Sequence, residues 1–167
     1  PGAMHAPWLI SLAAGLVVGG LAQFSRLCTV GGFRDLFLFK KSILIFGYLA
    51  VLIGVFVVNI SFGNFHLGFE NQPIAHTDGL WNFLGMALAG FCSVLLGGCP
   101  LRQLIMTGEG NSDSAVTVLG LAAGAAFAHN FGLAASGAGP TLNGEIAVGV
   151  GFVVAFIIAV LNTKRST

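Results

Sequence analysis

Two thiols stand at matching breaks in an otherwise apolar chain. Cys28 lies in Ser25-Arg26-Leu27-Cys28-Thr29-Val30-Gly31-Gly32, and Cys99 in Gly97-Gly98-Cys99-Pro100-Leu101-Arg102-Gln103. A thiol is a weak S–H donor with a polarisable sulfur, so it can hold a soft sulfur or selenium anion without trapping it. Arg26 or Arg102 nearby would favour the thiolate or draw the anion in. Conduction needs sites that release as readily as they bind, which suits weak donors along a path better than a bidentate arginine clamp. The backbones at Gly31, Gly32, Gly97 and Gly98 can approach a substrate and offer N–H groups to it; close helix packing is their competing role. Pro100 fits the first position of a helix, whose N-terminus would turn its dipole, with Arg102 and Gln103, toward an anion. The alternative for Arg102 is a plain anchor on the cytoplasmic side.

Other polar residues carry weaker signals. Cys92, inside Ala89-Gly90-Phe91-Cys92-Ser93, reads as a small packing residue in mid-helix. His129-Asn130 and Asn59 fall at membrane depth, where polar groups mark pathways or helix–helix hydrogen bonds; His129 is kept as a pathway candidate. The cysteines have no CxxC partner, and His5, His66, His76 and His129 show no ligand spacing with them, so no metal and no cofactor is expected. There is no Ser-His-Asp order, HExxH or phosphate-binding glycine loop, so the chain does not read as an enzyme. The outer loop with His66, Glu70, His76 and Asp78 has no catalytic spacing and reads as a vestibule or connector.

Such residues need a scaffold, and composition says which. The chain of 167 residues is 56% hydrophobic and only 8% charged, too apolar for a soluble domain, which carries about a quarter charged residues. It belongs in a lipid bilayer, and its 25 glycines suit helices that pack closely through small residues. A net charge of +1 without a basic run excludes a nucleic-acid partner. Three cysteines in apolar surroundings argue for free thiols rather than a disulfide framework. The chain begins at Pro1 without a basic segment before Trp8, so no signal peptide is read; Gly2-Ala3-Met4 reads as a processing scar, or the chain as a piece of a longer protein.

Five stretches approach the ~20 apolar residues needed to span about 30 Å of hydrocarbon: Trp8 to Phe24, Ile43 to Phe62, Leu80 to Leu96, Ala115 to Ala135 and Ile146 to Leu161. Val30 to Phe39 and Pro100 to Thr107 are too short and follow the cysteine breaks, so they read as half-helices or re-entrant turns lining a cavity. All seven basic residues, Arg26, Arg34, Lys40, Lys41, Arg102, Lys164 and Arg165, then fall on one side. By the positive-inside rule that side is cytoplasmic, with the N-terminus outside and the C-terminus inside. The run from Thr107 to Ser114 reads as a turn leading to a helix N-cap; its alternative role is an acidic loop beside the pore mouth that repels or gates anions.

A shift of 71 residues places Gly19 on Gly90 and Cys28 on Cys99. The expectation is an all-α membrane protein with about five transmembrane helices, two short half-helix or re-entrant segments and an internal repeat. It forms a single membrane domain over 1–167, with repeats at about 8–63 and 79–135 and a final helix at 145–162. Transporters built from repeats place their sites where the repeats meet and the helices break.

The phrases Gly19-Gly20-Leu21-Ala22-Gln23-Phe24-Ser25-Arg26-Leu27-Cys28-Thr29-Val30-Gly31-Gly32-Phe33-Arg34-Asp35, His76-Thr77-Asp78-Gly79-Leu80-Trp81-Asn82-Phe83-Leu84-Gly85, Gly97-Gly98-Cys99-Pro100-Leu101-Arg102-Gln103-Leu104 and Gly108-Glu109-Gly110-Asn111-Ser112-Asp113 resemble the YeeE/YedE sulfur-transport family, and within it the YedE-type selenium branch. The resemblance implies a multi-pass protein of the bacterial inner membrane that brings thiosulfate or a related sulfur or selenium compound into the cell. It also implies that Cys28 and Cys99 are pathway thiols, with helix-loop elements pinching the middle. Family members are roughly twice as long, so the chain resembles their carboxy-terminal half; a second copy or an amino-terminal half would be its partner. Two other readings stand beside transport. One is a membrane relay in which Cys28 or Cys99 carries a persulfide or selenosulfide to a soluble sulfur carrier; the other is a purely structural half-bundle.

Overall fold

The computed structural model describes residues 7–63, 65, 67–68 and 76–165. His5, His66, Glu70 and the Gly2-Ala3-Met4 segment lie outside the described residues, as do the side chains of Lys164 and Arg165. Seven helices follow in order: α1 (Trp8–Ser25), α2 (Thr29–Phe39), α3 (Ile43–Ser61), α4 (Gly79–Leu95), α5 (Pro100–Gly108), α6 (Ser112–Asn130) and α7 (Leu142–Arg165).

Their boundaries have local causes. Asp78 caps α4 by accepting from the Trp81 N–H at 3.3 Å, and Asn111 caps α6 by accepting from the Ser114 N–H at 2.9 Å. Each cap satisfies an amide that a helix start leaves unpaired. Pro100 opens α5, where its missing N–H costs nothing. Between α6 and α7, the Thr141 hydroxyl donates to the Gly132 carbonyl at 2.7 Å and accepts from the Gly144 N–H at 3.0 Å.

Among the described residues, four helical stretches are long and apolar enough to cross a membrane: Trp8–Phe39, Ile43–Ser61, Gly79–Gly108 and Leu142–Thr163. Against about five expected crossings, α6 is the one that falls outside this set. It matches α3 at 19 residues, but Ser112, Asp113 and Ser114 at its start and His129-Asn130 at its end dilute the apolar middle. It also runs from Ser112 to Asn130, starting and ending ahead of the expected Ala115 to Ala135 because Asn111 is its cap. Two of the crossing stretches join α1 to α2 and α4 to α5 through the cysteine turns. At 1.5 Å per residue, α2 and α5 are only about 16 and 14 Å long.

Helix α2 packs on α3, α5 on α6 and α4 on α7, while α1 meets α5 and α2 meets α4. Large apolar side chains such as Leu16, Phe46, Ile53, Leu119 and Phe156 face outward. Among the described residues the buried positions are small or polar: Ala22, Cys28, Ser93, Cys99, Gln103, Ser114 and Ala155, with Gly31, Gly32 and Gly98. Lipid tails are as apolar as leucine, so such a molecule gains little by turning leucines inward and packs instead through residues that let backbones approach. At Gly32, an added Cβ would lie 3.5 Å from the Ile45 backbone nitrogen, which is how closely α2 runs against α3.

Candidate functional site

Burial concentrates around the two cysteines because the same turn closes α1 and α4. At the first, Arg26 takes the left-handed conformation (φ 50°) and the Leu27 N–H reaches back to the Ala22 carbonyl at 3.3 Å. At the second, Gly97 takes it (φ 74°) and the Gly98 N–H reaches back to Ser93 at 3.1 Å. This six-to-one bond is the Schellman way of ending a helix. In each case the next residue is a cysteine in extended backbone at the N-cap position of α2 or α5, and of the two only the Cys28 side chain makes a cap bond. The two turns differ in cost, since a side chain in the left-handed region is disfavoured by roughly 1–2 kcal/mol and glycine is not. Gly97→Ala should therefore destabilise by about 1 kcal/mol, with no steric clash to add, and Arg26→Gly should stabilise by about as much. Thermal unfolding in detergent checks the opposite signs, and shifts in one direction for both would contradict this account.

Cys28 sits 9% exposed and Cys99 6%. The Cys28 Sγ accepts from the Gly31 N–H at 3.3 Å, so sulfur stands where a serine or aspartate oxygen commonly caps a helix. A Cβ on Gly31 would fall 3.4 Å from that sulfur, and glycine keeps the space beside it open. The polar neighbours of the Cys99 thiol are the Arg102 and Thr29 backbone amides, the Thr29 hydroxyl and the Cys28 thiol. The starts of two short helices therefore converge on a pair of free thiols, and both bring partial positive charge.

A cavity of about 660 Å³ opens beside the pair, lined by Arg26, Cys28, Gly31, Arg34, Gly97 and Arg102 among others. Cys28 lines it and Cys99 lies behind, against Cys28. Arg34, not singled out from the sequence, is held by Asp35 at 2.9 Å. Arg26, Arg34 and Arg102 bring positive charge to this lining, partly offset by Asp35 on Arg34 and Glu109 near Arg102.

The remaining candidates take other places. Gln103 is 4% exposed and donates its amide to the Leu96 carbonyl at 2.9 Å, bracing the Gly97-Gly98 turn. Gly32 is buried at the α2–α3 contact, and Gly98 beside Arg102 and Gln103. His129 is exposed on α6 and is not among the residues lining the Cys28 cavity. Cys92 is half-buried on α4.

Sequence reasoning missed a polar cluster behind Arg102. Gln23, in the last turn of α1, donates its amide to Glu109, the residue that caps the end of α5. Arg102 donates to the Gln23 Oε1 at 3.4 Å and faces the Glu109 carboxylate at 3.8 Å. A second cavity, about 630 Å³, is lined by Gln23 and Glu109, with Gly15, Gly19, Leu101 and Ile105 among its walls. At the opposite end of α4, a smaller cavity of about 270 Å³ takes in His76, Asn82 and Glu145, and the His76 Nδ1 is buried there without a hydrogen-bond partner.

Comparison with known proteins adds the following. Residues 24–163 match the family described as Sulphur transport, which covers the site, the end of α1, all of α2 to α6 and α7 as far as Thr163. The chain is 30% identical over 106 residues to the thiosulfate transporter TsuA of Escherichia coli (strain K12), a stretch that is 61% of this chain and 28% of that protein. It therefore spans less than a third of the length of that curated relative. No solved structure matches the chain.

Proposed function

The chain belongs to the YeeE/YedE sulfur-transport family, and from that premise we propose that it forms part of a membrane path for a small sulfur oxyanion of the thiosulfate class. The observation that carries this reading is the meeting of Cys28 and Cys99 at the starts of two short helices, beside a cavity walled by Arg26, Arg34 and Arg102. The guanidiniums concentrate the anion. The helix starts and weak S–H donors then hold it loosely enough to pass on. The similarity to a thiosulfate transporter supports the sulfur cargo, and a selenium oxyanion shares the same soft chemistry.

In this reading the protein sits in the bacterial inner membrane with the basic end cytoplasmic, the turns at Cys28 and Cys99 are equivalent parts of a repeat, and the path is completed by a further copy or an amino-terminal half. The outward apolar faces of all the long helices leave room for lipid and for such a partner.

A second reading follows from the contact between the two thiols. One thiolate would attack the sulfane sulfur of thiosulfate, keep that sulfur as a persulfide and release sulfite, and a soluble carrier would then take the sulfur. Uptake of labelled thiosulfate by cells expressing the protein separates the two. Passage predicts uptake that unlabelled thiosulfate or selenite competes and sulfate does not, with no change in the protein's mass. A cysteine gaining one sulfur atom, with sulfite released, would replace passage by relay; no uptake above cells lacking the protein would refute the transport reading.

A further inference from the structure

We infer that Glu109 is a built-in counter-anion for Arg102, competing with the cargo for one guanidinium and thereby setting how tightly the cavity holds it. The inference rests on the transport reading. Arg102 lines the cavity that contains Cys28, whereas its partners Gln23 and Glu109 line the second cavity. The arginine thus belongs to the lining of one space, about 660 Å³, while its partners line another of comparable size, about 630 Å³. Arg102 and Glu109 lie seven residues apart, two turns along the same face of α5, and Gln23 reaches them from α1.

The geometry of the pair suits exchange. The guanidinium and carboxylate are 3.8 Å apart, beyond a good hydrogen bond, with side chains 24% and 38% exposed. Partly exposed pairs of this kind are worth little, so an arriving oxyanion can displace the carboxylate without a large penalty. Gln23 keeps both partners in place: its carbonyl oxygen accepts from Arg102 while its amide donates to Glu109. Without a counter-anion, the Arg102 guanidinium would be free to clamp the oxyanion and slow its release. Glu109 is therefore a positioning and affinity-setting residue that acts through Arg102.

The test is Glu109→Gln, with Glu109→Asp, Arg102→Ala and Glu109→Gln/Arg102→Ala beside it. Binding of labelled thiosulfate to purified protein and uptake by cells are both measured. Glu109→Gln should tighten binding about two- to fivefold, the size expected from removing a partly exposed charge pair. It should lower the KM for uptake in step and lower the maximal rate, while Glu109→Asp stays near the wild type. In the Arg102→Ala background the substitution should have no effect. A merely structural Glu109 would instead weaken binding or reduce the amount of folded protein. Unchanged or weaker binding by Glu109→Gln, or equal tightening without Arg102, overturns the inference. Thiosulfate binding that tightens as stated in a protein showing no uptake would uphold it and refute the transport reading alone.

Discussion

Cys99→Ala and Cys28→Ala are each expected to reduce thiosulfate uptake to the level of cells lacking the protein, while Cys92→Ala leaves it near wild type. The reason is geometric. Cys28 and Cys99 are the residues from which α2 and α5 start, and each sulfur faces backbone amides: Gly31 for Cys28, Arg102 and Thr29 for Cys99. Alanine removes the polarisable contact and leaves the helix starts without the sulfur they face. Loss of a cap costs about 1 kcal/mol, too little by itself to unfold the protein, so the amount of protein in the membrane should stay nearly constant while uptake disappears. Serine is the informative companion. It restores a cap and a small hydroxyl but is a hard, strong donor, so recovery of folding without recovery of transport isolates the requirement for sulfur. Near-normal uptake by both alanine variants would refute the thiol path.

The largest stability effect is expected at Gly144, in the first turn of α7. A Cβ there would lie 2.6 Å from the Leu133 carbonyl oxygen and 3.0 Å from the Thr141 Oγ1. The Leu133 oxygen is a backbone atom, so it cannot swing aside as a side-chain tip would. At Gly151 the nearest atom is the flexible Leu88 Cδ2, and alanine there should be milder. Gly144→Ala should cost about 1–3 kcal/mol through overpacking, and more than Gly151→Ala. Thermal unfolding in detergent measures both, and an unchanged midpoint for Gly144→Ala would show that the α6–α7 turn yields more easily than this contact implies.

Hydropathy made the long helices readable, and the glycines and Pro100 made the short ones readable, because a break in an apolar run is a local signal. Cys28 and Cys99 could be paired for the same reason, each being followed by a short apolar piece. What tertiary packing adds is not local. Gln23 and Glu109 are 86 positions apart, and Glu109 in sequence is one polar residue of a loop; only the approach of α1 to α5 gives it a partner. Gln103 reads from the sequence as an anion-facing residue at a helix start, whereas its amide is bonded to the Leu96 carbonyl. The extent of α6 was misjudged because the apolar run at Phe131 to Ala135 continued the pattern, whereas the Asn111 cap and the Gly132 turn set the helix earlier.

The outward placement of large apolar side chains reverses the usual map of mutational tolerance. In a water-soluble protein the surface is permissive and the bulky interior is not. Here, where α3 has no buried residue, leucine, valine and phenylalanine on its faces can replace one another so long as the helix still matches the thickness of the hydrocarbon. Constraint falls instead on the smallest residues, where a single methyl group changes how near two backbones or a sulfur can come. Sequence drift in this protein should therefore be fast in its heaviest residues and slow in its lightest.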